Sequence, residues 1–357
     1  EFTAISDAIK QMSTQVASAG TEIAEVVAVA GQMGISNDHL MTFARTMIDL
    51  GNSTDIVANE AALTLAKFAN ITKMNQAQFQ NLGSALVDLG NNYAATESQI
   101  LEMSMRLAGA GHQVGLSEAQ ILGFATALSA VGIEAQMGGS AFSKALVKME
   151  VASETGGQAL KDFAKVSGLT AQGFKQLWDS NPAEAFQAFI GGLSKMDEEG
   201  ASAIATLADI GIAEVRLRDT LMRATNATGL FRDTQVTANK AWAENSALAV
   251  EANKRYATTQ SRLTNLKNTA LLFAQKVGDD LNPALQGIID RANEMLAAFM
   301  GMDESQRMAI IKFAGFAAAI GPALLILGKT IGTAGKLSSS LGKFALGMGK
   351  FSSSITT

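Results

Sequence analysis

Proline ends helices more effectively than any other residue, because its ring fixes φ and removes a backbone donor. It occurs here only at Pro182, Pro283 and Pro322, so the first 181 residues of the 357 contain none, whereas glycine occurs 33 times. No segment shows sustained period-two alternation enriched in β-branched residues, so nothing reads as a strand. The pattern predicts an all-α chain whose helices are punctuated by glycine.

The punctuation has a rhythm. Ile35-Ser36 leads to Leu50-Gly51, Met74-Asn75 to Leu89-Gly90, and Leu116-Ser117 to Val131-Gly132, each apolar pair 15 residues apart. Leu169-Thr170 opens a fourth, less regular copy. Ser, Asn and Thr at these starts accept hydrogen bonds from the orphan amides of a first turn. Gln78 and Gln120, three residues after Asn75 and Ser117, predict capping boxes. Asn181-Pro182-Ala183-Glu184 predicts another start, with proline at the first helical position. Gly51, Gly90 and Gly132 are expected to close helices in the left-handed conformation. The copies drift in spacing, so the pattern is not a strict solenoid.

Three regions follow. Residues 1–229 form a module of short, glycine-punctuated helices. Residues 230–304 begin with a stretch free of Gly and Pro up to Val277, which predicts one long helix. Along it Trp242, Asn245, Ala249, Ala252, Tyr256, Thr259, Leu263, Leu266, Ala270, Phe273 and Val277 recur in steps of three and four, a heptad seam that is apolar from Leu263 onward. Two readings stay open for Leu263, Leu266, Ala270, Phe273 and Val277: self-association, or packing on the chain's own first module. Asn282-Pro283 then opens a further amphipathic helix.

Residues 305–357 carry six basic residues and no acid, although the whole chain has a net charge of −5. Phe313 to Gly328 is uncharged, with Phe313, Phe316, Ile320, Pro322, Leu324, Leu325, Ile326 and Leu327 inside it. At 16 residues it is short of a span unless the flanking lysines snorkel; a buried core hairpin is the other reading. Lys329, Lys336, Lys343 and Lys350 recur every seven residues, a basic stripe suited to an anionic membrane surface.

Chemistry is sparse. The absence of cysteine excludes disulfides, thiol catalysis and cysteine–metal sites. His39, placed on a surface turn, and His112, placed in a glycine-rich loop over 109–115, have no second His nearby. Gly109-Ala110-Gly111 and Gly138-Gly139 read as helix ends rather than phosphate cradles. No nucleotide or metalloprotease motif appears. The expectation is a protein that is not an enzyme, takes no cofactor and does not bind nucleic acid by sequence. Starting at Glu1-Phe2 without methionine, the sequence is expected to be part of something longer.

The order of parts resembles the core of phage tail tape measure proteins. The residues that carry it are Ala30–Ser36, Ala108–Ser117, Leu128–Glu134, Gly138–Phe142, Leu281–Leu285 and Ala319–Leu325. The resemblance covers roughly residues 26 to 332 and implies a helical virion protein that fills the tail tube in several copies, sets tail length and leaves before the DNA. It implies as partners other copies of the chain, tail tube and tail tip proteins, tail assembly chaperones and the host membrane. Family members are commonly far longer, so this stretch is not expected to be the ruler itself. A helical pore-forming protein and a coiled-coil adaptor remain as alternatives.

Overall fold

The computed structural model describes residues 2–198, 202–212, 214–258, 260–276 and 294. The chain divides into two units, Glu1–Ala274 and Gln275–Thr357, and the architecture below is that of the first. Val277, the helix expected after Pro283, the uncharged run from Phe313 and the lysine stripe to Lys350 lie outside the described residues.

All regular structure among the described residues is helical, without a strand. The first helices are α1 (Phe2–Ser13), α2 (Gly20–Gln32), α3 (Asn37–Ser53), α4 (Ala58–Thr72) and α5 (Phe79–Asn92). Helices α2, α3 and α4 pack on one another, burying Ile23, Phe43, Ile48, Leu65 and Phe68. Next come α6 (Glu97–Gln113), α7 (Glu118–Ala130) and α8 (Ala135–Thr155), with α6 lying against α4, α7 and α8. A third group, α9 (Gly157–Val166), α10 (Ala171–Ser180) and α11 (Pro182–Glu198), is held by aromatic contacts among Phe163, Phe174, Trp178 and Phe189. Helix α13 (Val215–Thr225) follows the short α12 (Ala203–Asp209) and packs on α8 and α11. The unit ends with α14 (Thr228–Glu244), α15 (Ala247–Tyr256) and, up to Ala274, α16 over residues 260–276.

Some helix starts are as the side chains dictate and others are not: Ser36 makes no side-chain cap bond at α3, and Gln78 completes no box with Asn75. Ser117 and Gln120 form a reciprocal capping box, and so do Thr96 and Gln99, a pair not singled out from the sequence. Asn181 Oδ1 accepts from the Glu184 amide at 3.3 Å while its side-chain amide donates to the Glu184 carboxylate. Asn75 caps only a short 3₁₀ turn, accepting from Ala77 N, before α5 begins.

Several glycines do something other than end helices. Gly132 has φ +73° and closes α7 as expected. Gly51 and Gly90 instead lie inside α3 and α5, which continue to Ser53 and Asn92. Their lack of a side chain lets the next segment approach: a Cβ at Gly51 would sit 2.8 Å from Ala58 Cβ, and one at Gly90 would sit 2.5 Å from Glu97 Cδ. Gly109 and Gly111 are within α6, and His112 is in its last turn rather than a loop. Gly138 and Gly139 lie in α8, where a Cβ at Gly139 would be 2.2 Å from Arg106 Cβ. These glycines allow α6 and α8 to cross closely. His39 lies in the first turn of α3.

The single long helix predicted from 230 to 277 is divided into α14, α15 and α16. Asn245 ends α14 in the left-handed conformation, φ 48°, with its N–H bonded to Ala241 O. Asn tolerates that region better than other side chains, because it has a short polar group that can bond locally. Helix α14 packs on α5 and α7.

Candidate functional site

The feature that distinguishes this molecule from a plain helical bundle is the strap formed by α14, α15 and α16. Helix α14 is embedded. Phe231 is 1% exposed; its ring is stacked on Phe142, with centroids 5.8 Å apart, and lies 6.1 Å from Phe124. Gln235 passes over Gly123, where a Cβ would meet its amide at 2.7 Å, and donates from Nε2 to Gln120 O at 2.8 Å. The Asn81 side-chain amide donates to Trp242 O, also at 2.8 Å. At the turn, Ser84 Oγ donates to Asn245 Oδ1.

Helix α15 lies on α3 and α5. Leu248 fills the space above Gly83, where a Cβ would come within 2.8 Å of its Cδ2. The end of α15 is fixed by Tyr256, whose hydroxyl donates to Asp49 Oδ1 at 2.5 Å. Arg45 Nε also donates to Asp49, and its guanidinium lies 5.7 Å from the Tyr256 ring centroid. Burial pushes the Asp49 carboxyl up, against the hydrogen bond from Tyr256 and the charge of Arg45. Burial and the Asp49 charge together push the Tyr256 phenol well above its usual range, so it remains a donor.

Helix α16 touches the body differently. Asn268, 7% exposed, donates from Nδ2 to both Ser13 O and Ser18 O at 2.9 Å. Its opposite face is open: Leu263, Leu266 and Phe273 are 67%, 66% and 68% exposed, and Ala270 is also exposed. These four seam residues face solvent. The seam residues upstream separate as well, with Ala252 buried on α15 and Ala249 facing solvent.

An open cleft of about 640 Å³ lies beside α15, lined among others by Ser53, Asp55, Tyr93, Glu97, Glu251 and Arg255. One of its carboxylates has structural work. Asp55 accepts from Ser98 N at 3.0 Å and Ser98 Oγ at 2.5 Å, satisfying an orphan amide in the first turn of α6. Burial raises the Asp55 pKa, but the bonds from Ser98 and Thr96 outweigh it and hold the carboxyl below its usual range. Burial pushes Glu97 up, reinforced by the nearby charges of Asp55 and Glu251 against a backbone hydrogen bond. Among the described residues no group of three or more His, Asp or Glu is arranged to hold a metal ion, and no helix is long and apolar enough to cross a membrane.

Stacked short helices with a strap closing their core and an unpartnered seam define a helical scaffold. A model of the phage-related minor tail protein family matches residues 6–209, more than half of the chain, and the chain belongs to that family of tail structural proteins. No curated protein and no solved structure matches it. The matched stretch stops before α14, yet Phe231, Gln235 and Leu248 complete its core. Sequence reasoning missed this dependence. The available signal was Gly83 and Gly123, glycines within helical runs that need a reason other than a helix end.

Proposed function

We propose that the chain is the folded core of a tape measure protein: it occupies the tail tube, takes part in setting tail length during assembly, and leaves the tail ahead of the DNA. The observation that carries this reading is membership of the minor tail family over residues 6–209, joined to the order of segments from Ala30 to Leu325 that resembles tape measure proteins. In this reading the role is structural rather than enzymatic and needs no cofactor. Other copies of the chain, tube and tip proteins and assembly chaperones are its partners. The first unit, up to Ala274, contributes a folded body rather than length, because helices packed on one another do not add 1.5 Å per residue along a single axis.

Mass spectrometry of purified tails tests the proposal. Peptides from residues 2–276 should be present in intact tails and depleted from tails that have released their DNA. Equal amounts before and after release would rule out ejection, and their absence from intact tails would rule out the tube-filling role.

A further inference from the structure

The outer face of α16 carries Leu263, Leu266, Ala270 and Phe273 in steps of three, four and three residues. At 3.6 residues per turn these side chains fall within a stripe about 100° wide. Asn268, which ties the helix to the body, lies on the opposite side. Phe2, Val57 and Val215 have comparable exposure but stand singly, and Leu271, 54% exposed, is on α16 but outside the stripe; single exposed apolar residues are ordinary. Three of them aligned on one helix are not.

Charge defines what fits the stripe. Arg262 lies along one edge and Lys267 along the other, and there is no Asp or Glu from residue 252 to residue 278. In heptad terms Leu263 and Ala270 are a positions, Leu266 and Phe273 are d positions, and Arg262 and Lys267 occupy g and e.

We propose that this stripe is the docking surface for an acidic amphipathic helix of another protein. Such a helix covers the apolar seam with its own a and d residues and places Glu or Asp beside Arg262 and Lys267. A second copy of α16 is a poor occupant. In a parallel pair Arg262 meets Lys267, and in an antiparallel pair the same basic residues face one another, so either orientation sets like charges together. A bilayer is also less suited, because the stripe is narrow, includes Ala270 and belongs to a helix whose other face is bound to a folded body. The inference stands independently of the tape measure reading.

The chain has no cysteine, so Ala270→Cys in the full chain places a single thiol at the centre of the seam. Its alkylation rate by a maleimide is measured alone, with a synthetic helical peptide bearing Leu at a and d and Glu at e and g, with the same peptide bearing Lys in place of Glu, and with phosphatidylglycerol–phosphatidylcholine vesicles. The Glu peptide should protect the thiol, less so at high salt, while the Lys peptide should not. Adding Arg262→Glu and Lys267→Glu should reverse that preference, each arm shifting by roughly fivefold for two exposed charge pairs. Circular dichroism establishes that each variant keeps its helices. Protection of the thiol in the isolated monomer, protection that grows with chain concentration, equal protection by both peptides, or protection by vesicles but not by the Glu peptide would each overturn the proposal.

Discussion

Helices α14 and α16 belong to one strap, yet the body receives them in opposite ways. Helix α14 drives Phe231 between Phe142 and Phe124 and lays Gln235 over a glycine. Helix α16 turns a polar residue inward and leaves its leucines outside. Both have apolar residues at helical spacing, so periodicity alone does not separate them. The receiving surface does: at Gly123 of α7 helix α14 comes within side-chain contact of the backbone, as α15 does at Gly83 of α5, and apolar area is buried. The turn that faces α16 offers two main-chain carbonyls, those of Ser13 and Ser18, and these select an amide.

The strongest way to break this contrast is Phe231→Ala. Emptying a fully buried aromatic site should cost about 3–5 kcal/mol, seen as a fall in the denaturant midpoint of the whole unit. A loss below about 1 kcal/mol would mean that the strap is separable from the family-matched helices. Close approach within the matched region is tested by Gly192→Ala on α11, where a Cβ would lie 1.7 Å from Val166 O. A methyl group forced against backbone should cost about 3 kcal/mol, although alanine is the better helix former. Gly191→Ala, with nothing within 4 Å of its Cβ position, should instead stabilise by up to ~1 kcal/mol. If the two substitutions behave alike, the α9–α11 contact is looser than described.

Tyr256→Phe probes the middle of the strap. Removing the donor to Asp49, a side chain only 13% exposed, should cost about 1–2 kcal/mol at neutral pH. The pH dependence has a definite sign. Burial already raises the Asp49 pKa, so this carboxyl favours the fold when protonated and loses that contribution as pH rises through its folded value. The Tyr256 bond opposes the rise, and without it the folded value climbs further. The difference between wild type and variant should therefore shrink as pH falls through the carboxylate range. A gap that widens on acidification would show that Tyr256 does not stabilise ionised Asp49. The smallest effect is expected from Leu263→Asp with Leu266→Asp, since both side chains already face water: thermal stability should change by no more than about 0.5 kcal/mol. A loss above about 2 kcal/mol would place the seam in a buried contact.

The sequence made some of this readable and hid the rest for identifiable reasons. Local chemistry was the most legible: with almost no proline and side-chain caps such as Ser117–Gln120, helices and many of their starts followed from short-range hydrogen bonding. Thr96–Gln99 obeys the same rule and was visible by the same test. Glycine was ambiguous, because one residue type serves both a left-handed end, as at Gly132, and close helix approach, as at Gly51, Gly90 and Gly139; only the partner's position tells them apart. The division of the long helix turned on Asn245, whose left-handed conformation is joined to a hydrogen bond from Ser84, 161 residues away in sequence. The seam at Leu263–Phe273 was readable as a stripe, but whether it met protein or solvent depended on Asn268, which lies outside the apolar pattern.

That amide has a consequence for how freely the two sides of its contact can vary. At positions 13 and 18 the contact uses only carbonyl oxygens, which every amino acid possesses, so side-chain replacement there leaves the acceptors in place provided the turn keeps its path. At 268 the demand is narrow: two donors on one nitrogen, on a stem short enough to reach both oxygens. Aspartate has the shape but no donor, serine has one, and glutamine carries the group one methylene too far. Drift should therefore be tolerated on one side of this junction and arrested at a single codon on the other.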